Sequence, residues 1–152
     1  MTALWITRGL PASGKTEWAR EQVNNRPPGE LLRLNRDDLR RMALPTGYHL
    51  PVGAAEGRVT QMQHAALRTL LLAGHDVIVD DTNLNPAHLQ ELVSIARWAS
   101  ADVEIVEFTH VPVDECVRRD AARPARDHVG EVAIREMHAR HLSPPGAPGG
   151  GV

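Results

Sequence analysis

Near its start the chain carries the stretch Gly9-Leu10-Pro11-Ala12-Ser13-Gly14-Lys15-Thr16. It matches the phosphate-binding pattern G-x-x-x-x-G-K-[ST], whose glycines let successive backbone N–H groups turn inward toward a phosphate chain. Residues 3–7 predict a short buried strand before this loop, and residues 17–23 predict the opening of a helix after it. The motif therefore predicts a nucleoside triphosphate site. Its predicted cofactor-binding residues are Gly9, Ala12, Ser13, Gly14, Lys15 and Thr16.

Size and composition limit the classes of protein to consider. The 152 residues suffice for one domain with a full core, and 42% hydrophobic and 24% charged residues are typical of soluble globular proteins. A net charge of −2 excludes a global basic field for nucleic acid, so any polyanion site must be a local cluster. The single cysteine, Cys116, excludes an internal disulfide, and the first apolar stretch is too short for a signal peptide or membrane span. We therefore expect a cytoplasmic protein without a membrane partner.

Strand-like and helix-like runs alternate along the rest of the chain. Further strands are predicted over residues 31–35, 77–80 and 103–108. Further helices are predicted over residues 36–43, 56–72, 113–122 and 131–141, and from Asn85-Pro86 onward, with a loop over residues 46–55. This alternation predicts an α/β fold, with a parallel sheet of four or five strands and helices on both faces. We expect Trp5, Trp18 and Trp98 in its core.

The domain is predicted to occupy residues 1–142. Residues 143–152 are rich in proline and glycine and cannot bury apolar surface, so they predict a flexible tail. Ligands of parallel α/β sheets bind at the carboxyl ends of the strands. The polar motifs of this chain follow the predicted strands at that edge, which favours a single site.

The second and third predicted strands end in NRDDLR (residues 35–40) and DDTNLNP (residues 80–86). Asp37 begins a helix, where its carboxylate can accept the proton of an attacking hydroxyl or can simply cap the helix. Arg40 lies one helical turn further, on the same face. A buried strand that ends in two acids, Asp80 and Asp81, needs compensating partners. The sequence does not decide which of the two acids serves Mg²⁺.

Arginines follow the fourth predicted strand. Arg119 and Arg123 are spaced i, i+4 on one helix face, and Pro124 then ends the helix. This layout fits a lid that brings arginine to the nucleotide phosphates, and it also fits an exposed basic helix. The eight histidines show no ligand set in the sequence. His138 and His141 share a helix face but lack acidic or cysteine partners of metal-site spacing.

The segments GLPASGKTEWARE, NRDDLR and DTNLNP, in this order, resemble the ATP-dependent 5′-hydroxyl polynucleotide kinase family. The resemblance extends to the kinase domain of its phage polynucleotide kinase-phosphatase members and covers residues 1–141. It implies a P-loop kinase that uses ATP and Mg²⁺ to phosphorylate the 5′-hydroxyl end of DNA or RNA. The phosphate loop is shared by many unrelated proteins, whereas NRDD followed by DTNLNP is much more specific.

The resemblance also implies roles for individual residues. Asp37 is the implied general base, Arg40 holds a phosphate of the acceptor strand, and Arg123 is the lid arginine. Asp81, together with Thr16, serves Mg²⁺ partly through water. The catalytic residues expected from sequence and resemblance together are Lys15, Asp37, Arg40, Asp81 and Arg123, with Arg119 and Arg123 as further cofactor-binding residues.

Two other functions stay open from the sequence. A small-molecule kinase would act on a nucleoside, sugar or antibiotic hydroxyl and would not need Arg40 as a second phosphate clamp. A nucleotide-binding regulatory ATPase would hydrolyse ATP slowly and would not need Asp37 beside Arg40. The preference for DNA or RNA and the oligomeric state, including a homodimer, also stay open.

Overall fold

The computed structural model describes residues 1–44 and 52–144. Its strands are β1 (Ala3–Arg8), β2 (Leu31–Leu34), β3 (Asp76–Val79) and β4 (Asp102–Glu107). Its helices are α1 (Lys15–Asn24), α2 (Arg36–Ala43), α3 (Val52–Leu72), α4 (Pro86–Trp98), α5 (Val113–Ala121) and α6 (Glu131–His141), with one 3₁₀ turn at Ala125–Asp127. The strands and helices alternate as the sequence predicts.

The four strands form one parallel sheet in the order β2-β3-β1-β4. Leu4 of β1 lies opposite Val77 of β3 on one side and Val103 of β4 on the other. The predicted α/β fold with a parallel sheet is therefore confirmed. The sheet has four strands, the smaller of the two predicted numbers. Because all strands run the same way, their carboxyl ends and the loops that follow them share one edge of the sheet.

Helices cover both faces of the sheet, because neighbouring residues of a strand point to opposite sides. Leu4 and Ile6 of β1 pack against α3 and α4, whereas Trp5 packs toward α1. The first of these two clusters contains Leu4, Ile6, Leu67, Leu71, Val77, Val79, Leu92, Ile95 and Ala96. The second contains Ala19, Leu31 and Ile78, with Trp5, Trp18 and Val23 against it. A third cluster packs α5 and α6 against the loops that follow β1 and β3. It contains Leu10, Leu84, Cys116 and Ile134.

β4 lies at one edge of the sheet and is only partly covered. It pairs with β1 along its whole length, and each of its two faces carries both charged and β-branched residues. The side chain of Ile105 is 41% exposed. Among the described residues, β1 is the only strand with which β4 pairs.

Some sequence predictions were wrong in detail. Helix α3 begins at Val52, so the predicted loop fails over residues 52–55, while residues 46–51 lie outside the described part of the chain. The buried face of α3 follows i, i+4 spacing through Val59, Gln63, Leu67 and Leu71, so it contains one polar residue. Trp98 is 63% exposed rather than in the core, since it ends α4, where its ring lies against the guanidinium of Arg68.

The predicted tail falls largely outside the described residues, which end at Pro144. Within residues 1–44 and 52–144, every helix is too short or too polar to cross a lipid bilayer.

Candidate active site

The loop between β1 and α1 wraps around the helix N-terminus. Ala12 and Gly14 adopt positive φ angles of 62° and 102°, which turn the backbone tightly before Lys15 begins α1. Gly9 sits where a Cβ atom would lie 2.8 Å from Cβ of Phe108 and 2.9 Å from Oγ of Ser13. The loop thus requires a residue without a side chain at this position, and Ser13 is buried beneath it.

Lys15 is buried and turned back onto its own loop. Its Nζ donates to the carbonyl oxygen of Leu10 at 2.5 Å and to Oγ of Ser13 at 3.3 Å. Burial lowers the pKa of Lys15 to about 8, although the nearby carboxylates of Asp80 and Asp81 act in the opposite direction. An anion in the loop would provide the compensating charge that this ammonium group lacks.

Asp80 follows the last residue of β3, and its side chain is 1% exposed. Oδ2 accepts a hydrogen bond from Nε of Arg33 at 2.7 Å. Oδ1 is buried and has no hydrogen-bond partner within residues 1–44 and 52–144. An acceptor left unpaired in this way is costly, and it suits a water of a hydrated cation.

Asp81 joins three elements of the fold. Its Oδ1 accepts from the backbone N–H of Arg36 at 2.8 Å, and its Oδ2 accepts from Nε2 of Gln63 at 2.6 Å. Asn35 caps α2 and also donates to the carbonyl oxygen of Asp80 at 2.5 Å. Burial raises the pKa of Asp81 to about 6. The start of α2 is therefore fixed to the end of β3, which brings NRDD and DTNLNP together.

Helix α2 carries an array of ion pairs at its exposed side. A guanidinium nitrogen of Arg40 contacts the carboxylate of Asp37, whose side chain is 67% exposed. Arg40 also donates to Oε1 of Glu56 from Nη2 at 2.5 Å, and Arg36 donates to Oε2 of Glu56 at 2.8 Å. Burial acts to raise the pKa of Glu56, but the hydrogen bonds from the two arginines outweigh it and lower that pKa. Two guanidinium groups thus converge on one carboxylate.

Of the two predicted lid arginines, Arg119 lies in the last turn of α5 and Arg123 in the segment between α5 and α6. Arg123 is paired loosely with Asp120 at 3.9 Å, and Arg119 donates to Oε1 of Glu115 at 2.8 Å. The buried carboxylate of Asp120 accepts from the backbone N–H groups of Val129 and Gly130, which closes the loop between them.

These parts surround one cleft of about 650 Å³ at the carboxyl edge of the sheet. Seven basic and seven acidic side chains line it. A phosphate ligand would replace the carboxylate partners of Arg33, Arg36, Arg40, Arg41 and Arg123. The predicted site residues that line the cleft are Ala12, Lys15, Thr16, Asp37, Arg40, Asp81 and Arg123. Gly9, Ser13 and Gly14 build the loop below it. Arg119 lies outside the lining, beside Gly14.

Three residues of the cleft region escaped the sequence analysis. Glu56 bridges Arg36 and Arg40, Arg33 holds Asp80, and Gln63 holds Asp81. Only Gln63 left a signal, because a polar residue interrupts the apolar stripe of α3. The other two contacts depend on tertiary packing that periodicity does not report.

The structure brings two of the histidines together, which the sequence did not predict. His64 of α3 and His88 of α4 lie together with Glu91, with one donor atom from each residue within 4.8 Å of the others. The two histidines are 24 positions apart and on different helices, so no sequence spacing could indicate the cluster.

The fold, the phosphate-binding loop and the comparisons with known proteins define a P-loop phosphotransferase of the kinase type. The chain belongs to the family described as AAA domain, which it matches over residues 4–144. It is 30% identical to a chain of the Pnkp1/Rnl/Hen1 RNA repair complex over 91% of its own length, with a TM-score of 0.77. A second structure of the Pnkp1/Rnl/Hen1 complex matches with 34% identity over 78% of the chain and a TM-score of 0.66. The resemblance predicted from the sequence is confirmed.

The chain corresponds to only part of each of these two proteins, since it spans 43% and 38% of their lengths. Chaetomium thermophilum Kti12 in complex with ADP-AlF3 is similar in fold, with 19% identity, a TM-score of 0.68 and coverage of 93% and 81% of the two chains. A structure that contains a bound nucleotide therefore has the same fold as this chain.

Proposed function

We propose that this protein transfers the γ-phosphate of ATP to the 5′-hydroxyl end of a polynucleotide, with Mg²⁺ as cofactor. The observation that carries the proposal is the contact of Asp37 with Arg40 on α2, in the same cleft as Lys15. A carboxylate beside a guanidinium group, which would exchange Glu56 for a phosphate, is the pair needed at an acceptor hydroxyl that has a phosphate next to it.

The donor end of the cleft supports the binding of ATP. The N-terminus of α1, the loop N–H groups and Lys15 offer positive charge to the β- and γ-phosphates. Lys15 now donates to the carbonyl of Leu10, a neutral partner that phosphate oxygens would replace. Arg123 lines the same cleft and is 40% exposed, so it is free to reach the transferring phosphoryl group.

The residues present fit Mg²⁺. Thr16 offers a hydroxyl at the start of α1, and Asp80, whose buried Oδ1 has no partner among the described residues, lines the same cleft. Both oxygens of Asp81 already accept hydrogen bonds, so we assign Asp80 to a metal-bound water and Asp81 chiefly to holding α2 and α3. When bound, Mg²⁺ would neutralise charge on the phosphates.

In the proposed reaction the acceptor oxygen forms a bond to the γ-phosphorus while the bond from that phosphorus to the β,γ-bridging oxygen breaks. ADP leaves with the electron pair of that bond, and the hydroxyl proton passes to Oδ of Asp37. Because the Asp37 side chain is exposed, the 5′ end of a polynucleotide has room to approach it. Most of the catalytic effect then comes from position and charge neutralisation.

Arg36 and Arg40 support a polynucleotide acceptor over a simple alcohol. Both guanidinium groups converge on Glu56, which shows that this end of the cleft accommodates an oxyanion. A phosphate of the acceptor strand could take the same donors, whereas a free nucleoside or sugar has no group for them. A small-molecule kinase would therefore use these two arginines only for the ion pairs that they already make.

The test offers γ-labelled ATP with a 5′-hydroxyl oligonucleotide, its 5′-phosphorylated twin, and free nucleosides, in DNA and RNA versions. We expect label only on the 5′-hydroxyl oligonucleotides. Label on nucleosides alone would identify a small-molecule kinase, and release of free phosphate alone would identify a regulatory ATPase.

Arg40→Gln and Arg41→Gln form a matched pair for this assay. Arg41 lies on the same helix, is 65% exposed and pairs with Asp38 and Asp127. We expect Arg40→Gln to raise KM for the oligonucleotide at least tenfold, while Arg41→Gln changes it little. Equal effects of the two substitutions would remove Arg40 as a specific phosphate contact.

A further inference from the structure

A second cluster of ligand-type side chains lies between α3 and α4. His88 and Glu91 are spaced i, i+3 on one face of α4, and His64 projects from α3 toward them. Oε2 of Glu91 lies 3.7 Å from Nε2 of His64 and 3.8 Å from Nδ1 of His88. The three residues therefore converge from two helices on a single point.

The ring nitrogens of this cluster lack other partners. Nε2 of His64 and Nε2 of His88 are both buried without a hydrogen bond to the described residues. Burial lowers the pKa of both imidazoles, with the positive charge of Arg36 acting in the same direction. Neutral rings with free lone pairs are the form in which histidine binds metals.

We propose that His64, His88 and Glu91 form a binding site for a divalent transition metal of the zinc class. Two imidazole nitrogens and one carboxylate oxygen match the donor preference of Zn²⁺ and differ from the all-oxygen set that Mg²⁺ prefers. Water would supply the fourth ligand. This site is separate from the Mg²⁺ site proposed at Thr16 and Asp80.

The distances are close to those that a metal needs. Tetrahedral Zn²⁺ with ligands at about 2.1 Å places neighbouring donor atoms about 3.4 Å apart. The two rings are nearly parallel, with centroids 5.9 Å apart and an interplanar angle of 13°, so binding requires rotation about χ2 to aim both lone pairs inward. That torsion is broad in histidine, and Glu91 is exposed and adjustable.

Charge around the cluster limits its affinity for a cation. Arg36 acts on both histidines and Arg68 on His64, and among the described residues Glu91 is the carboxylate that opposes them. A cation here must overcome this repulsion, so we expect binding weaker than at structural sites with cysteine ligands.

The place of the cluster suggests what the metal does. His64 follows Gln63, which holds Asp81, and His88 lines a groove of about 280 Å³ together with Arg36, Glu56 and Asp81. A metal would tie α3 to α4 at this level and so fix the helix that carries Glu56 and Gln63. It acts as a structural clamp beside the acceptor end of the cleft.

The test uses the full chain without an affinity tag and without nucleotide. Equilibrium dialysis against Zn²⁺ should give one bound ion per chain, and Co²⁺ should give the visible absorption of a tetrahedral complex. His64→Gln and His88→Gln should each weaken Zn²⁺ binding at least tenfold, and the double variant should abolish it. His138→Gln is the matched control and should bind as the unaltered protein does.

Circular dichroism of each variant establishes that loss of binding is not loss of the fold. Zn²⁺ should also raise the thermal unfolding midpoint of the unaltered protein and leave that of the double variant unchanged. Absence of stoichiometric binding, or binding that survives the double substitution, would overturn the proposal. Loss of binding in Asp81→Asn but not in the histidine variants would do the same, since it would assign the metal to the cleft. None of these readouts depends on kinase activity.

Discussion

The two ends of the cleft, one at the phosphate-binding loop and one at α2, are formed by different parts of the chain. The donor end consists of backbone: the loop before α1 is buried, relies on two positive φ angles, and packs Gly9 against Phe108. The acceptor end consists of long side chains on α2 and α3, joined by ion pairs that are partly exposed. A backbone site is preorganised and changes only by distortion, whereas a side-chain site exchanges partners at little cost. We infer that the first end fixes the nucleotide and the second adapts to the acceptor.

Asp37→Ala should have the largest effect of the substitutions proposed here on phosphate transfer. It should impair the acceptor end of the cleft and leave the donor end intact. Without the carboxylate no group receives the hydroxyl proton, so we expect kcat for transfer to fall about 10²- to 10⁴-fold. The affinity for ATP should stay within about twofold. Label transfer and nucleotide binding measure the two effects, with Asp38→Ala as the control that retains transfer. Normal turnover by Asp37→Ala would remove Asp37 as the base.

Gly9→Ala should break the donor end alone. The added methyl group meets Phe108 at 2.8 Å and Ser13 at 2.9 Å, and the backbone carbon of Phe108 at 3.1 Å prevents easy relief. We expect a loss of about 1–3 kcal/mol in the free energy of unfolding and weaker ATP binding.

Gly57→Ala is the matched control for that substitution. It lies within α3 with open space around it, so the same change should be neutral or should stabilise the helix by about 0.5–1 kcal/mol. Chemical denaturation of both variants gives the comparison. Equal stability of the two would contradict the close packing at Gly9.

The pH dependence of ATP binding sharpens the description of the donor end. Burial lowers the pKa of Lys15 to about 8, so the charged form that attracts phosphate is lost above this pH in the free protein. We expect ATP affinity to fall about tenfold between pH 7 and pH 9. The free energy of unfolding of the nucleotide-free protein should change in the opposite direction. It should increase as pH rises from about 8 toward 10.5, because the penalty for burying charged Lys15 disappears.

Isothermal titration at several pH values measures this effect. Lys15→Arg keeps its charge throughout the range and should bind ATP with little pH dependence. A pH-independent affinity in the unaltered protein would show that Lys15 is not the titrating contact.

Glu56→Gln should have the smallest effect, and it tests whether the acceptor end exchanges partners. The substitution removes the carboxylate that competes for Arg36 and Arg40. We expect KM for the oligonucleotide to fall about two- to fivefold with kcat unchanged, since partly exposed ion pairs contribute about 0.5–1 kcal/mol. Glu21→Gln, on the exposed side of α1, is the control. A higher KM would show that Glu56 instead holds the arginines in place for the acceptor.

The sequence predicted most of what depends on local rules. The loop at Gly9–Thr16 and the start of α4 at Asn85-Pro86 follow from short motifs, and both agree with the structure. The cap of α2 is Asn35, which the sequence had placed in a strand, and not Asp37. Parallel strands then gather the motifs at one edge without further information.

What the sequence did not predict depends on how distant elements pack. Glu56 reaches Arg36 and Arg40 only because α3 crosses α2, and Gln63 reaches Asp81 only because the buried face of α3 turns toward β3. The pairing of His64 with His88 is set by the contact of α3 with α4. Periodicity identifies a buried face, but it does not identify what that face touches.

The uncovered edge of the sheet at β4 has a consequence for handling the protein. An open strand edge is a template onto which another chain can add by backbone hydrogen bonding, and the exposed Ile105 adds apolar surface to it. Asp102, Glu104 and Glu107 lie exposed along the same six residues and repel a second copy at neutral pH. Salt screens this repulsion, so concentrated samples should aggregate sooner at an ionic strength of about 1 M than at about 0.1 M.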